Sequence, residues 1–351
     1  MRVLYFGTYE RGYPRNAQVI SCLRGAGVEV VERNVPVWEG REHKFAAGVG
    51  AGLRLARAEL TLLVRRREEF DAVLVGYPGH FDLPAARRVA RGRPVVFNPL
   101  VSLAETLVED RARFAAGSLP ARALQAVDRA AFRAADVVVA DTEQNAVLFR
   151  RLGARKVEVC LVGAEERIFS PGWQRPARFH CLFVGKLIPL HGLETLLEAA
   201  RRAPDLQFHV VGSGQLESLL EHRPPNVDWR AWVEYEQLPH ELHRAGCALG
   251  IFGATPKARR VIPNKVFQAL ACGTPVITAN TPAARELLRD GKSALLVPPG
   301  DPDALVGALR KLAANGELAQ AIGNGGLTAY RARASEAILG ARWRALIEDL
   351  L

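Results

Sequence analysis

The chain reads as an α/β protein of two successive Rossmann-like domains, each a parallel sheet with helices on both faces. Three observations carry that reading. Short β-branched runs alternate with longer helical stretches almost from end to end. The alternation breaks near residues 163–178 and then restarts as a second complete series. The length, 351 residues, suits two domains better than one.

In the first half the strand runs are 3–6, 28–33, 72–76, 94–98, 137–140 and 157–161, with helices between them. Asp82 and Asp141 stand before helical stretches 83–91 and 142–152, where a carboxylate can cap the free amides of a first turn. The second series runs strand 180–184, Gly185, helix 193–203, strand 207–211, Gly212-Ser213-Gly214, helix 215–221, strand 227–231, helix 237–245 and strand 248–252. A loop over 253–263 precedes helix 264–271, strand 275–278, helix 282–289, strand 294–297 and helix 301–314. Trp343, Leu346, Ile347 and Leu350 then recur at helical spacing, one apolar stripe able to return and cover the first domain. The expected domains are residues 1–165, completed by about 327–351, and residues 166–326. Open parallel sheets take their ligands at the carboxyl ends of the strands, so a site is expected in a cleft that the two sheets face.

The sequence carries 47 basic and 37 acidic side chains, a net charge of +10. Such a balance suggests an anionic partner without choosing among nucleic acid, phosphorylated small molecule and lipid headgroup. Forty of the bases are Arg and seven are Lys, spread over both halves among frequent Ala-Arg runs, a compositional habit more than a binding stripe. With 7% aromatics and no interleaved basic and aromatic pattern, no nucleic-acid partner is expected. The five cysteines form no CxxC and no metal-ligand spacing, and read as core thiols. No apolar leader opens the sequence, because strand 3–6 begins at once, and no apolar run reaches the roughly 20 residues of a membrane span. A cytoplasmic location is expected, with peripheral contact at the inner membrane face as an option.

At Phe183-Val184-Gly185-Lys186-Leu187-Ile188-Pro189-Leu190-His191-Gly192-Leu193-Glu194-Thr195-Leu196 the second half becomes recognisable. This stretch resembles the phosphate-binding turn of retaining glycosyltransferases of the GT-B fold, the large group called family 4. Val210-Val211-Gly212-Ser213-Gly214, Pro239 within 232–242, and Asn264-Lys265-Val266-Phe267-Gln268-Ala269-Leu270-Ala271-Cys272-Gly273-Thr274-Pro275-Val276-Ile277 resemble further signatures of the group, in the same order. The resemblance covers about 150 residues firmly and the first half only in architecture. It implies a nucleoside diphosphate sugar as donor, transfer with retention, and no divalent cation or other cofactor.

The chemistry of the stretch suits such a donor. Its diphosphate gains negative charge as the glycosidic bond breaks, so the site needs fixed cations and amide donors aimed there. Lys186 on the Gly185 turn and Lys265 in the first turn of helix 264–271 are candidates, and Pro263 and Asn264 open a helix whose free N–H groups form an anion site. Lys257, Arg259 and Arg260 in the preceding loop add charge, and Gly214 belongs to the glycine pair after strand 207–211.

The sequence also departs from the family pattern. Lys186 stands where the family usually has Arg, keeping the charge without the fork. His191 stands where it usually has Lys. The family's two glutamates, eight positions apart, fall on Arg260 and Gln268. Gln268 can still hydrogen-bond a ribose diol, whereas Arg260 cannot accept a bond; it meets an acidic sugar or the β-phosphate, or points into solvent. Glu286 resembles a family position on a helix near the donor; its plain alternative is a surface helix glutamate. Asp301-Pro302-Asp303 has the spacing of a metal-binding pair, but helix capping explains it better. Gly212 and Gly214 lack the third glycine of a dinucleotide fingerprint, which disfavours a dehydrogenase.

The acceptor half is less legible. Gly12, in the loop after the first strand, is the expected point of close backbone approach. His80 after the third strand is a candidate catalytic residue and equally a structural one. Asn98 and the stretch 105–113 would line the same mouth, with Asp110 as the candidate acid. Within residues 45–67, Leu53, Ala56, Leu60, Leu63 and Val64 share one helical face, with Arg54, Arg57 and Arg65–Arg67 elsewhere. This is expected to be a covering helix of the sheet; its alternative is peripheral contact with an anionic membrane, which would suit a lipid-linked acceptor. The expected function is a glycosyltransferase acting on a glycan or lipid-linked acceptor, and the alternative is a non-catalytic nucleotide- or glycan-binding relative or partner subunit.

Overall fold

The computed structural model describes residues 1–37, 49–64 and 68–351. Two compact units result, one made of Met1–Leu161 with Glu336–Leu351 and the other of Val162–Ser335.

The first unit holds a parallel sheet of β1 (Arg2–Gly7), β2 (Glu29–Asn34), β3 (Ala72–Val75), β4 (Val95–Phe97), β5 (Val137–Ala140) and β6 (Val157–Val159), in the order β2-β1-β3-β4-β5-β6. The central strands are buried on both faces, which is why they read as unbroken apolar runs. Helices α1 (Pro14–Gly25), α2 (Val49–Leu62), α3 (Leu83–Ala90), α4 (Leu119–Ala134) and α5 (Glu143–Arg151) connect them. The strand order reverses between β1 and β3, so the loops after those strands, 8–13 and 76–82, flank the switch point.

The last helix of the chain, α12 (Glu336–Glu348), packs on α1 and buries Trp343, Leu346 and Ile347. Arg15 of α1 is wholly buried; its guanidinium lies 5.6 Å from the centre of the Trp343 ring and donates to Asn98 Oδ1 and to the carbonyls of Cys160 and Leu161.

The second unit has β7 (His180–Val184), β8 (Gln207–Val211), β9 (Val227–Arg230), β10 (Cys247–Leu249), β11 (Val276–Ala279) and β12 (Leu295–Val297), all parallel, in the order β12-β11-β10-β7-β8-β9. Counted from β7 this is 3-2-1-4-5-6, the order of a dinucleotide-binding sheet, with its switch point between β7 and β10. Around it lie α6 (Leu193–Arg202), α7 (Leu238–Arg244), α8 (Asn264–Cys272), α9 (Pro282–Leu287), α10 (Pro302–Ala314) and α11 (Gly316–Arg333). Asp301 caps α10, accepting from Ala304 N at 2.9 Å.

Several expectations are corrected. The chain returns to the first unit at Glu336, not near residue 327, because α11 runs unbroken to Arg333 and anchors Tyr330 in the second unit, its hydroxyl 3.0 Å from Glu166 Oε1. Stretch 215–221 is a short 3-10 turn over Glu217–Leu220, since Leu216 N is drawn to Leu187 O and the chain cannot wind freely. Helix 237–245 divides into a 3-10 turn, Tyr235–Gln237, and α7, with Pro239 in its first turn. Asp82 does not cap α3; its carboxylate turns back to accept from Thr8 N at 2.7 Å and Thr8 Oγ1 at 3.0 Å. Thr142, not Asp141, caps α5, while Asp141 accepts from the Asn145 side chain at 2.6 Å.

The face of α2 is also reversed. Ala58 and Leu62 point inward, fully or almost fully buried, whereas Leu53, Leu60 and Val64, on the face expected to cover the sheet, are exposed. Residues 45–48 and Arg65–Arg67 lie outside the described residues. No helix among the described residues is long and apolar enough to cross a membrane.

Candidate functional site

The candidate site in the second unit grows from the turn after β7. Gly185 has φ +144°, and Gly212 after β8 packs so closely that a Cβ on it would lie 1.9 Å from Gly185 O. The missing Cβ of Gly212 lets these turns meet, and Gly185 takes a φ that side chains rarely adopt. A Cβ on Gly185 would stand 3.0 Å from both Cε and Nζ of Lys265 and 3.4 Å from Cε1 of His191. Gly185 and His191, read from one stretch of sequence, and Lys265, read from another, are therefore neighbours at the β7–β10 switch point.

Lys265 is the unusual member. It sits in the first turn of α8, its Nζ is withdrawn from solvent, and no hydrogen-bond partner among the described residues reaches it. The ammonium lies 3.5 Å from the centre of the Phe183 ring, a cation–π contact that replaces only part of the lost hydration. Burial consequently pushes its pKa well below the usual lysine value. A desolvated cation beside a glycine turn and a helix N-terminus is built to receive an anion.

His191 is buried beside the same ring, 5.7 Å between centroids, and its Nδ1 bonds to the carbonyl of Lys186. With Nδ1 donating to that carbonyl, Nε2 can donate to an anion only in the protonated ring. Lys186 itself is exposed at the rim of the turn. Gly214 has φ +150° and packs on the Leu187 backbone, but its N–H donates to Glu217 Oε2 at 3.2 Å, so that amide is already engaged. Asn264 opens α8 after Pro263. Lys257 is buried and Arg260 half-buried in the loop before α8, and burial lowers the Arg260 pKa. Glu286 lies half-buried on α9, its carbonyl accepting from the Arg333 guanidinium.

Gln268, one turn beyond Lys265 on α8, is buried, and its Nε2 donates to the Tyr235 hydroxyl at 3.3 Å. That bond leaves the amide oxygen to accept from a ligand hydroxyl. Burial, then the neighbouring Glu165 carboxylate, raises the Tyr235 pKa, and Glu165 is held by Arg167 at 2.9 Å. The chain Glu165–Tyr235–Gln268 escaped sequence reading because its members stand 33 and 70 residues apart; no spacing rule joins them.

The three candidates of the first unit fare differently. Gly12 is exposed, and a Cβ there would meet nothing within 4 Å; the glycine that the β1 loop requires is Gly7, where a Cβ would lie 2.2 Å from Asp82 Oδ2. His80 is 3% exposed, with Nδ1 2.5 Å from Pro78 O and Nε2 3.4 Å from Asp128 Oδ1. Phe97 and Phe132 meet its ring edge-on, and burial lowers its pKa. Asp128 also accepts from Ser102 Oγ at 2.6 Å and from Leu103 N, so this histidine pins loops within the core. Asn98, bonded to Arg15, is equally sealed. Asp110 is buried at the end of a π-helical stretch, Glu105–Asp110, after β4. Beside this region, Tyr13 and Tyr77 pair at 4.6 Å.

Comparison with known proteins follows the same division. Residues 2–165 match the family described as glycosyl transferase 4-like domain, and residues 178–315 the family described as glycosyl transferases group 1. The D-inositol 3-phosphate glycosyltransferase of Geodermatophilus obscurus is 32% identical over 70% of this chain, which spans 62% of that relative's length. Sucrose-phosphate synthase from Thermosynechococcus elongatus superimposes with a TM-score of 0.76 at 16% identity, covering 99% of this chain and 98% of its own. Anabaena HepE, solved with UDP-glucose, gives 0.72 at 16% identity with each chain fully covered. At these identities the structural likeness is one of fold, the two-sheet GT-B architecture. With both halves matched in order, the chain belongs to the group 1 glycosyltransferases.

Proposed function

We propose that the protein transfers a sugar from a nucleoside diphosphate sugar to a hydroxyl acceptor, a glycan or a lipid-linked sugar, with retention and without a divalent cation. The observation that carries this reading is the buried Lys265 Nζ, without a hydrogen-bond partner among the described residues, against Gly185 and His191. Lys265, Lys186 and protonated His191 would hold the diphosphate, and Gln268 would accept from the ribose diol. As the bond from the anomeric carbon to the phosphate oxygen breaks, the electron pair stays on the diphosphate, where these cations face the growing charge. The acceptor hydroxyl attacks on the same face, and its proton passes to the departing phosphate oxygen. HepE is described in complex with UDP-glucose, which supports a nucleotide sugar as donor.

A panel of UDP-, GDP- and ADP-sugars tests the proposal. Binding with slow donor hydrolysis or transfer is expected for at least one. Nucleotide binding with no turnover on any donor would favour a non-catalytic relative, a reading that Arg260 and Gln268 at the family's two glutamate positions keep open. No binding at all would overturn both.

A further inference from the structure

Helix α2 carries apolar side chains on two opposite faces. Ala58 and Leu62 pack inward at 3% and 0% exposure. On the other side Leu53, Leu60 and Val64, just past the helix end, are 60%, 68% and 57% exposed. At 3.6 residues per turn, Leu53, Arg57, Leu60 and Val64 fall within an arc of about 60° and run for about 16 Å along the helix. A single exposed leucine is ordinary on a soluble protein, but an aligned row of three is not.

The charges around the row decide what it fits. Arg54 and Arg57 are exposed, Arg57 within the row and Arg54 on its flank. The only acid of α2, Glu59, is turned toward Asp82, and burial, then that neighbouring carboxyl, raises its pKa to about 9. The outward face is therefore apolar and purely cationic. A second copy docking α2 on α2 by two-fold symmetry would bring arginine against arginine, with no carboxylate between them among the described residues of the helix. A bilayer interface takes both components: apolar side chains enter the acyl boundary, while guanidinium groups on flexible stems stay at the phosphates.

We propose that the outward face of α2 seats the protein on an anionic lipid surface, with Leu53, Leu60 and Val64 entering the interface and Arg54 and Arg57 meeting lipid phosphates. This surface lies on the first unit and is independent of the Lys265 site.

The test is co-flotation of the full chain with vesicles of phosphatidylcholine alone and of equal parts phosphatidylcholine and phosphatidylglycerol. Binding to the anionic vesicles, weakened by salt, is expected. The pair Leu53→Ser with Leu60→Ser should lower partitioning by about tenfold or more. The pair Arg54→Gln with Arg57→Gln should abolish the preference for phosphatidylglycerol. An unchanged melting temperature for each double variant certifies its fold, since the altered side chains are exposed. Wild-type protein left unbound by both vesicle types would overturn the proposal, as would both double variants floating like wild type. Concentration-dependent dimerisation abolished by the leucine pair would assign the face to self-association instead.

Discussion

The Lys265 Nζ rests 3.5 Å above the Phe183 ring with no hydrogen-bond partner among the described residues, so the first turn of α8 holds a buried amino group whose charge is left for a ligand to balance. Stability and binding are opposed at this residue. Lys265→Met keeps the alkyl stem and removes the desolvated amino group, and is expected to raise the stability of the unliganded protein by about 1 kcal/mol or more. Chemical denaturation of the two proteins checks this; an unchanged or lower midpoint contradicts it.

The same burial couples nucleotide binding to the protonation of Lys265. The folded pKa of Lys265 lies below its ordinary 10.5. Between those values the unfolded chain holds a proton that the folded chain lacks, so stability rises with pH across this window. Within that window a bound diphosphate draws the proton back onto Lys265. Binding should therefore take up protons and weaken as pH rises, including above pH ~8, where the ligand's terminal phosphate (second pKa about 6) is already ionised. Calorimetry in two buffers of different ionisation heat reads the uptake, and a heat identical in both would contradict it.

Glu59 gives a linkage of opposite sign. Its folded pKa of about 9 exceeds the ordinary 4.5, so the stability it contributes is complete below 4.5 and is lost as pH rises toward 9. Glu59→Gln mimics the protonated carboxyl and should flatten that loss, making the variant more stable than wild type at neutral pH and equal to it near pH 4.5. Melting temperatures across this range decide.

His80 should prove structural. With Asp128, Phe97 and Phe132 around it, His80→Ala leaves a cavity and a buried carboxylate short of one partner, costing about 2–4 kcal/mol. Nucleotide affinity should be unchanged in the folded variant. A large loss of turnover at unchanged stability would restore a catalytic role.

Tyr235 is a positioning residue. Tyr235→Phe frees the Gln268 amide, and nucleoside diphosphate affinity should fall about five- to tenfold. Inorganic pyrophosphate, which has no ribose, should bind the variant and wild type alike. Equal losses for both ligands would point to general damage.

Much of the donor half was legible because its signals are local. A glycine after a strand, a lysine in a first helical turn and an aspartate before Pro302 act within a few residues of themselves, and β7, α8 and the Asp301 cap lie where the periodicity puts them. What stayed hidden depends on distant partners. Nothing near Lys265 in sequence announces the Phe183 ring beneath it, and Asp128 lies 48 residues from His80. Helix α2 misled for another reason. It has two apolar stripes, and a 3.6-residue period shows that a stripe exists without showing which one faces the sheet.

Calorimetric titration of nucleoside diphosphates into wild-type protein and Lys265→Met shows whether this lysine meets the diphosphate. At least one of UDP, GDP and ADP should bind wild type, and the substitution should weaken it tenfold or more, a loss of about 1.4 kcal/mol or greater. Equal affinity in the two proteins, or no binding by any of the three, would contradict the assignment of Lys265 as the diphosphate's partner.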